Sequence, residues 1–286
     1  LISNATIDVT YNNVDRALLR PYMGGSEQLV GTRYVKMDFE VEIAGSGTAG
    51  TAPAWGSVLR ACGMAETVVA TYVEYTPVSG GFDSATVYYN VDGVLYKALG
   101  CRGTVQLALG EGERPVFKVS MTGLDGGATA AAAPAVTLTA WKIPQVVTNS
   151  NSPGIKLGGS YATGAITGGT TYPSRGLSID LAQQVQHVPL LGGETVEITG
   201  RETAGSMQLD LTAAQTVSFM ADIAANTPTT LSFEHGTTAG GKVLIFAPAV
   251  QRINPKLTDF NGTVHLSMDL RFTPSAGNDE IRIVAK

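Results

Sequence analysis

In VKMDFEVEI (Val35–Ile43) apolar and charged residues alternate without a break. Val35, Met37, Phe39, Val41 and Ile43 share one face, and Lys36, Asp38, Glu40 and Glu42 share the other. Period-two spacing predicts a β-strand with one buried face and three carboxylates on the wet face. Behind it lie the Gly-rich loop Gly45–Gly50 and then Pro53, which marks the start of a short helix. Trp55, Val58, Leu59 and Cys62 fall there at helical spacing, with Gly63 as the stop.

Outward from this strand the chain repeats its own order. IDVTYNNVDRALLRPYMGG (Ile7–Gly25) precedes VKMDFEVEI; IDLAQQVQHVPLLGG (Ile179–Gly193) and TVEITGRETAG precede the shorter MQLDL (Met207–Leu211). In both copies a loop, a short helix and several alternating strands follow. In the second copy Thr212 can cap the helix with Gln215 as capping-box partner, Phe219, Met220 and Ile223 face the core, and Pro228 ends the element. A unit used twice points to a building block of a symmetric assembly rather than a scaffold around one active site.

Further strands are expected at Val68–Val78, Ala85–Val91, Val94–Leu99, Thr104–Leu109, Val116–Leu124 and Val136–Pro144. Asp92-Gly93 is a hairpin signal between two of them, and Asp125–Pro134 reads as a flexible turn or tether. In the second half strands are expected at Leu177–Val185, Glu194–Gly200, Ser206–Leu211, Thr230–Glu234, Lys242–Ile253, Gly262–Thr273 and Glu280–Val284, with a turn at Asn261-Gly262. The Gly/Ser/Thr-rich stretch 149–176 is the expected linker or loop between a first domain, 1–148, and a second, 177–286. The fold class is therefore mainly β: two tandem sandwich or barrel domains, each with one short flanking helix.

Bulk properties exclude several functions. The 286 residues carry 24 acidic and 19 basic groups, a net charge of −5, and the two halves have nearly the same balance. A mildly acidic chain lacks the clustered Lys and Arg of a tight nucleic-acid binder. Cys62 and Cys101 form no CxxC pair, and the bland reading is two buried reduced thiols. No apolar run has the length of a membrane-spanning helix, and no secretory signal is legible at the N-terminus.

GSGTAG (Gly45–Gly50) matches the GxGxxG nucleotide fingerprint, with Glu66 where a ribose-binding acid would stand. Two objections outweigh the match. The preceding strand is amphipathic, whereas a dinucleotide-binding first strand is apolar on both faces. The helix opens near Pro53, so the glycines sit in the loop and not at a helix N-terminus facing a pyrophosphate. His187, His235 and His265 lie in separate segments without metal-ligand spacing, and no nucleophile elbow is present. No catalytic residue, cofactor or metal site is expected. The stripe Asp38–Glu40–Glu42 is either the wet side of an antiparallel sheet or the lining of a channel through which a polyanion passes without sticking.

The segment FEVEIAGSGTAGTAPAWGSVLRACG (Phe39–Gly63) resembles the strand–loop–helix signature of major tail tube proteins from long-tailed, non-contractile bacteriophages. LSFEHGTTAGGKVLIFAPAVQRINP (Leu231–Pro255), followed by VHLSMDLRFTPSAGNDEIRIV (Val264–Val284), is similar to the end of the same proteins. The resemblance implies a sandwich whose strands join those of neighbours into a barrel around a lumen, in stacked rings that conduct DNA during ejection. The family's usual ring is a hexamer, so two tube domains in one chain imply a trimer with pseudo-sixfold symmetry. Implied partners are copies of the chain, other tail proteins at the tube ends and genomic DNA; the implied location is the virion tail, with host cytoplasm during assembly. Lumen-lining candidates are Asp38, Glu40 and Glu42 in the first copy, Asp210 in the second, and Asp269, whose face is shared by Arg271. Gly45, Ser46, Gly47, Thr48, Ala49 and Gly50 are the inter-subunit loop candidates. The rival readings are a surface binding or adhesion module of two β-sandwiches and, more distantly, an enzyme using the Gly-rich loop.

Overall fold

The computed structural model describes residues 2–139 and 141–286. The first half contains strands β1 (Ile2–Val14) and β2 (Leu29–Glu42), helix α1 (Gly56–Ala61), then β3 (Met64–Val69), β4 (Tyr72–Pro77), β5 (Ala85–Val91), β6 (Val94–Gly110) and β7 (Val116–Ala130). A second run contains β8 (Ile155–Ala162), β9 (Ala165–Tyr172), β10 (Ser174–Asp180), β11 (Gln183–Leu190), β12 (Gly193–Arg201) and β13 (Ala204–Leu209). Helix α2 (Ala213–Ala224) follows, then β14 (Thr229–His235), β15 (Val243–Phe260), β16 (Thr263–Phe272) and β17 (Arg282–Ala285).

The repeat read from the sequence reappears as topology. Strands β1-β2-β7-β6 lie side by side in that order, and β10-β13-β16-β15 lie in the corresponding order. In each set the first two strands precede the helix and the last two form a long hairpin after it. The sets join edge to edge through β6 and β10, antiparallel from Gly176 opposite Gly110 to Asp180 opposite Gln106. Eight strands thus form one sheet. Its odd-numbered face on β2 (Val35, Met37, Val41) is buried, as are Val105 and Leu107 on β6 and Leu266, Met268 and Leu270 on β16.

β15 belongs to two layers. Its C-terminal part pairs with β16 and closes the eight-strand sheet. Its N-terminal part, VLIFA, stands between β14 and β17, in a second layer ordered β3-β4-β17-β15-β14-β8-β9. One buried cluster joins both layers and both halves of the chain: Trp55, Tyr75, Phe117, Ile179 and Phe233 are all members. VLIFA is apolar without alternation because both its faces are covered. Val243 and Ile245 enter the main cluster, and Leu244 and Phe246 pack with Val284 on the opposite side.

Helix α1 begins at Gly56, later than Pro53 suggests, and the left-handed Gly63 (φ 76) ends it as expected. Helix α2 has the predicted capping box: Thr212 Oγ1 accepts from the Gln215 N–H, and the Gln215 side chain accepts from the Thr212 N–H. The hairpin turns at Asp92-Gly93 and Asn261-Gly262 both use left-handed pairs.

Four local expectations are corrected. Stretch 149–176 is not a loop; it contains the β8–β9 hairpin and the start of β10, and β8 is held by pairing with β14. Asp125–Ala130 is no tether but continues β7 against Val94–Ala98. Val68–Val78 is split by a turn into β3 and β4. The described residues of Val136–Pro144 form no strand; their alternation is strand-like, but they pair with no neighbouring strand.

Candidate functional site

The polar face of the eight-strand sheet starts at β2. Asp38 is exposed there. Glu40 accepts hydrogen bonds from Asn4 Nδ2 at 2.9 Å and Ser3 Oγ at 3.5 Å. Arg114, from the turn joining β6 to β7, donates to Glu42 at 3.0 Å and reaches Glu40 at 3.4 Å. Lys118 on β7 stands opposite Glu40 in register. The three carboxylates therefore share a face, but two of them are held by one guanidinium. Arg114 is far from both in sequence, and no local pattern could have announced it.

Residue-to-residue pairing equates the two copies. Ile7 faces Met37 as Ile179 faces Gly205, and Val41 faces Phe117 as Leu209 faces Leu266. It follows that Asp38 corresponds to Ser206, Glu40 to Gln208 and Glu42 to Asp210. Asp210 is exposed just past β13, its N–H donating to the Pro173 carbonyl at 3.0 Å. Asp269 on β16 is exposed and accepts from Asn254 Nδ2 at 2.9 Å, while Arg271 lies 3.9 Å from Glu202. The structure thus brings the five acidic candidates to one face of one sheet, on strands β2 and β16 and at the end of β13.

Between the copies the face is finished by residues the sequence reading passed over. Gln106 donates to Ser178 Oγ at 3.1 Å. Asp180 accepts from the Ala182 N–H at 2.8 Å and the Thr104 hydroxyl at 3.4 Å. The repeated Ile-Asp pair was the available signal for Asp180. Asp180 caps the corner where β10 leaves the sheet, and Ala182 is left-handed there (φ 48). The hairpin β11–β12 turns at this corner and packs back on the first copy. His187 stacks on Tyr34 at 4.7 Å, and Arg102 binds the Val196 carbonyl and, at 3.0 Å, the Glu197 carboxylate.

The Gly45–Gly50 loop is engaged within the chain. The Gly47 N–H donates to the Gly240 carbonyl at 2.8 Å. A Cβ on Gly45 would lie 2.0 Å from that same oxygen, so the loop needs glycine where it crosses the β14–β15 connection. Its glycines serve backbone-to-backbone contact.

The three histidines go to three places. His187 is on the hairpin strand β11, His265 stands edge-on to Phe260, and His235 is buried at the C-terminal end of β14. His235 Nε2–H donates to the Gln145 carbonyl at 3.0 Å, leaving Nδ1 to accept from the Ser152 hydroxyl at 2.8 Å. Burial pushes its imidazole below the ordinary value, and the bond to Gln145 pulls weakly the other way. Burial likewise raises both thiols, Cys101 to about 11 and Cys62 further, so both stay protonated. Among the described residues no helix is long and apolar enough to cross a membrane.

Eight strands with one broad polar face and a buried opposite face define a mainly β protein. The sequence agrees: residues 5–278 match the family described as phage tail tube protein, and the chain belongs to that family. It is a structural protein of the phage tail tube, and its place is the virion tail. No curated protein matches it.

Proposed function

We propose that this chain is the tube-forming subunit of a long-tailed, non-contractile phage. Three copies close a ring of six quasi-equivalent units, rings stack, and DNA passes through the lumen during ejection. Residues 1–148 form one unit and 177–286 the other, with β8–β9 attached to the second through β14. The observation that carries this reading is the identical strand order of the two four-strand sets, joined edge to edge. A junction that works once inside the chain can work again between chains, and ring closure removes the sheet edges that would otherwise aggregate.

The polar face is the lumen lining in this reading. Asp38, Glu40, Glu42, Asp180, Asp210 and Asp269 repel phosphates, and Arg114 is paired with Glu40 and Glu42 instead of being left to capture DNA by counterion release. The partners are copies of the chain, other tail proteins at the tube ends and DNA in transit. The subunit carries out no catalysis. The Gly45–Gly50 loop serves contacts between subunits only through the atoms it leaves exposed at Gly47 and Thr48.

Negative-stain electron microscopy of the purified protein tests the assembly. Stacked rings or tubes with a central hole are expected. Folded monomers at every concentration, the behaviour of an adhesion module, would sink the reading.

A further inference from the structure

We infer that β1 of one copy adds to the open edge of β15 in a second copy, with Asp8 opposite Lys256, Ile7 opposite Leu257 and Thr6 opposite Thr258. This deepens the ring reading and rests on it.

The internal junction supplies the template. β5 occupies one side of β6 over its N-terminal part, and β7 occupies the other side. The C-terminal part of β6 is thereby left free on the β5 side, and β10 fills it, pairing Gln106 with Asp180, Leu107 with Ile179 and Ala108 with Ser178. The Leu181 N–H adds a bond to the Val105 carbonyl at 3.0 Å. β15 is built the same way. Val250 faces Thr229 of β14 and Phe272 of β16 at once, so those strands flank it on opposite sides. Beyond Val250, β16 continues, but no described strand continues on the β14 side. At the other end of the sheet β1 pairs with β2 alone.

Register follows from the pairing rows. Leu257, Leu266 and Leu209 form the row that corresponds to Leu107, Phe117 and Val41. Lys256 therefore stands where Gln106 stands, and Thr258 where Ala108 stands. In the same frame Ile7 and Asp8 stand where Ile179 and Asp180 stand. The extra residue on β15, at the bulge between Ile253 and Lys256, is absorbed before this row begins.

Burial marks the missing neighbour. Leu107, beside β10, is 0% exposed, whereas Leu257 in the same position is 64% exposed. Asp8 and Lys256 are both exposed and neither forms a salt bridge among the described residues, yet the register sets them directly opposite with unlike charges. A third sign comes from the segment after β1. Its counterpart, β11–β12, covers the unit beside β10; the end of β1 leaves Tyr11 and Val14 exposed, and the segment after it leaves Leu18, Leu19, Tyr22 and Met23 exposed. If β1 takes its place on β15, this arm lies over the neighbour's second unit, as β11–β12 lies over the first. The contact is heterologous and head-to-tail, the type that closes into rings when the rotation permits.

Disulfide trapping tests the register. Chains carrying Asp8→Cys and chains carrying Lys256→Cys are mixed, assembled and mildly oxidised. A disulfide-linked dimer is expected from the mixture and from neither chain alone, and a chain carrying both changes should give covalently closed oligomers. Seven strand spacings separate the two positions within a chain, about 34 Å along the sheet, against the roughly 7 Å limit for a disulfide. Pairing Asp8→Cys with Thr258→Cys, one diagonal away, should leave monomers. The charge swap checks the same contact without cysteines: Asp8→Lys should weaken assembly in sedimentation, and Asp8→Lys with Lys256→Asp should restore it. Tubes that form while the first mixture stays uncross-linked and the swap fails to rescue would overturn this register and leave the tube reading standing. Folded chains that never assemble would remove both.

Discussion

Trp55 is where the helix of the first copy meets both layers. Its indole N–H donates to the Ala44 carbonyl at 2.7 Å, and its ring packs on Tyr75 and edge-on to Phe117. Trp55→Ala removes all three contacts and leaves a buried carbonyl short of its donor; a loss of about 3–5 kcal/mol is expected in chemical denaturation. His235 makes a pH-dependent contribution. Its folded value is depressed, so between that value and the ordinary 6.5 or so the unfolded chain binds a proton that the folded chain refuses. The stability involved is complete above this window and is lost as pH falls through it. His235→Gln should flatten the acid limb of a plot of Tm against pH. Residues that act with near neighbours were legible in the sequence: of the expected buried set, Leu59 lies on α1, and Trp55 and Cys62 flank its two ends, all three buried. Arg114 was not, because its two carboxylate partners lie on another strand.

Among the elements, α2 shows how far local chemistry reaches. Thr212 and Gln215 were named from spacing alone, and both halves of the capping box are formed. Thr212→Ala should cost about 1 kcal/mol, read as a lower denaturation midpoint with unchanged slope. Val136–Pro144 shows the opposite limit. Alternation states that a segment can present two faces, but a strand also needs a free neighbouring edge, and Trp141 from this segment instead rests against the core half-buried. The polar face of β2 carries its own prediction. Asp38 makes no side-chain hydrogen bond or ion pair among the described residues, so Asp38→Lys should leave assembly intact while impairing DNA delivery, measured as ejection from reconstituted phage. Glu42→Lys differs, because it sets two cations together at Arg114. It should lower the stability of the folded subunit by about 1 kcal/mol or less, as for a part-exposed pair, whatever it does to DNA.

Across the whole molecule the two copies are equal in topology and unequal in charge. Asp38, Glu40 and Glu42 on the first correspond to Ser206, Gln208 and Asp210 on the second. A ring of three chains should therefore show lumen charge alternating with threefold periodicity; a reconstruction of the tube without imposed symmetry should resolve threefold rather than true sixfold density. The sequence by itself determined the β-rich class, the two helices and the alternating face of β2, because each is written in neighbours only a few residues apart. Tertiary structure decided which edges meet. It joined β6 to β10, filled the expected linker with a hairpin, tied the Gly45–Gly50 loop to the second half and set Arg114 between two carboxylates. Strand partners are chosen by edges and registers that form between segments far apart in the chain, and no local pattern of spacing records that choice.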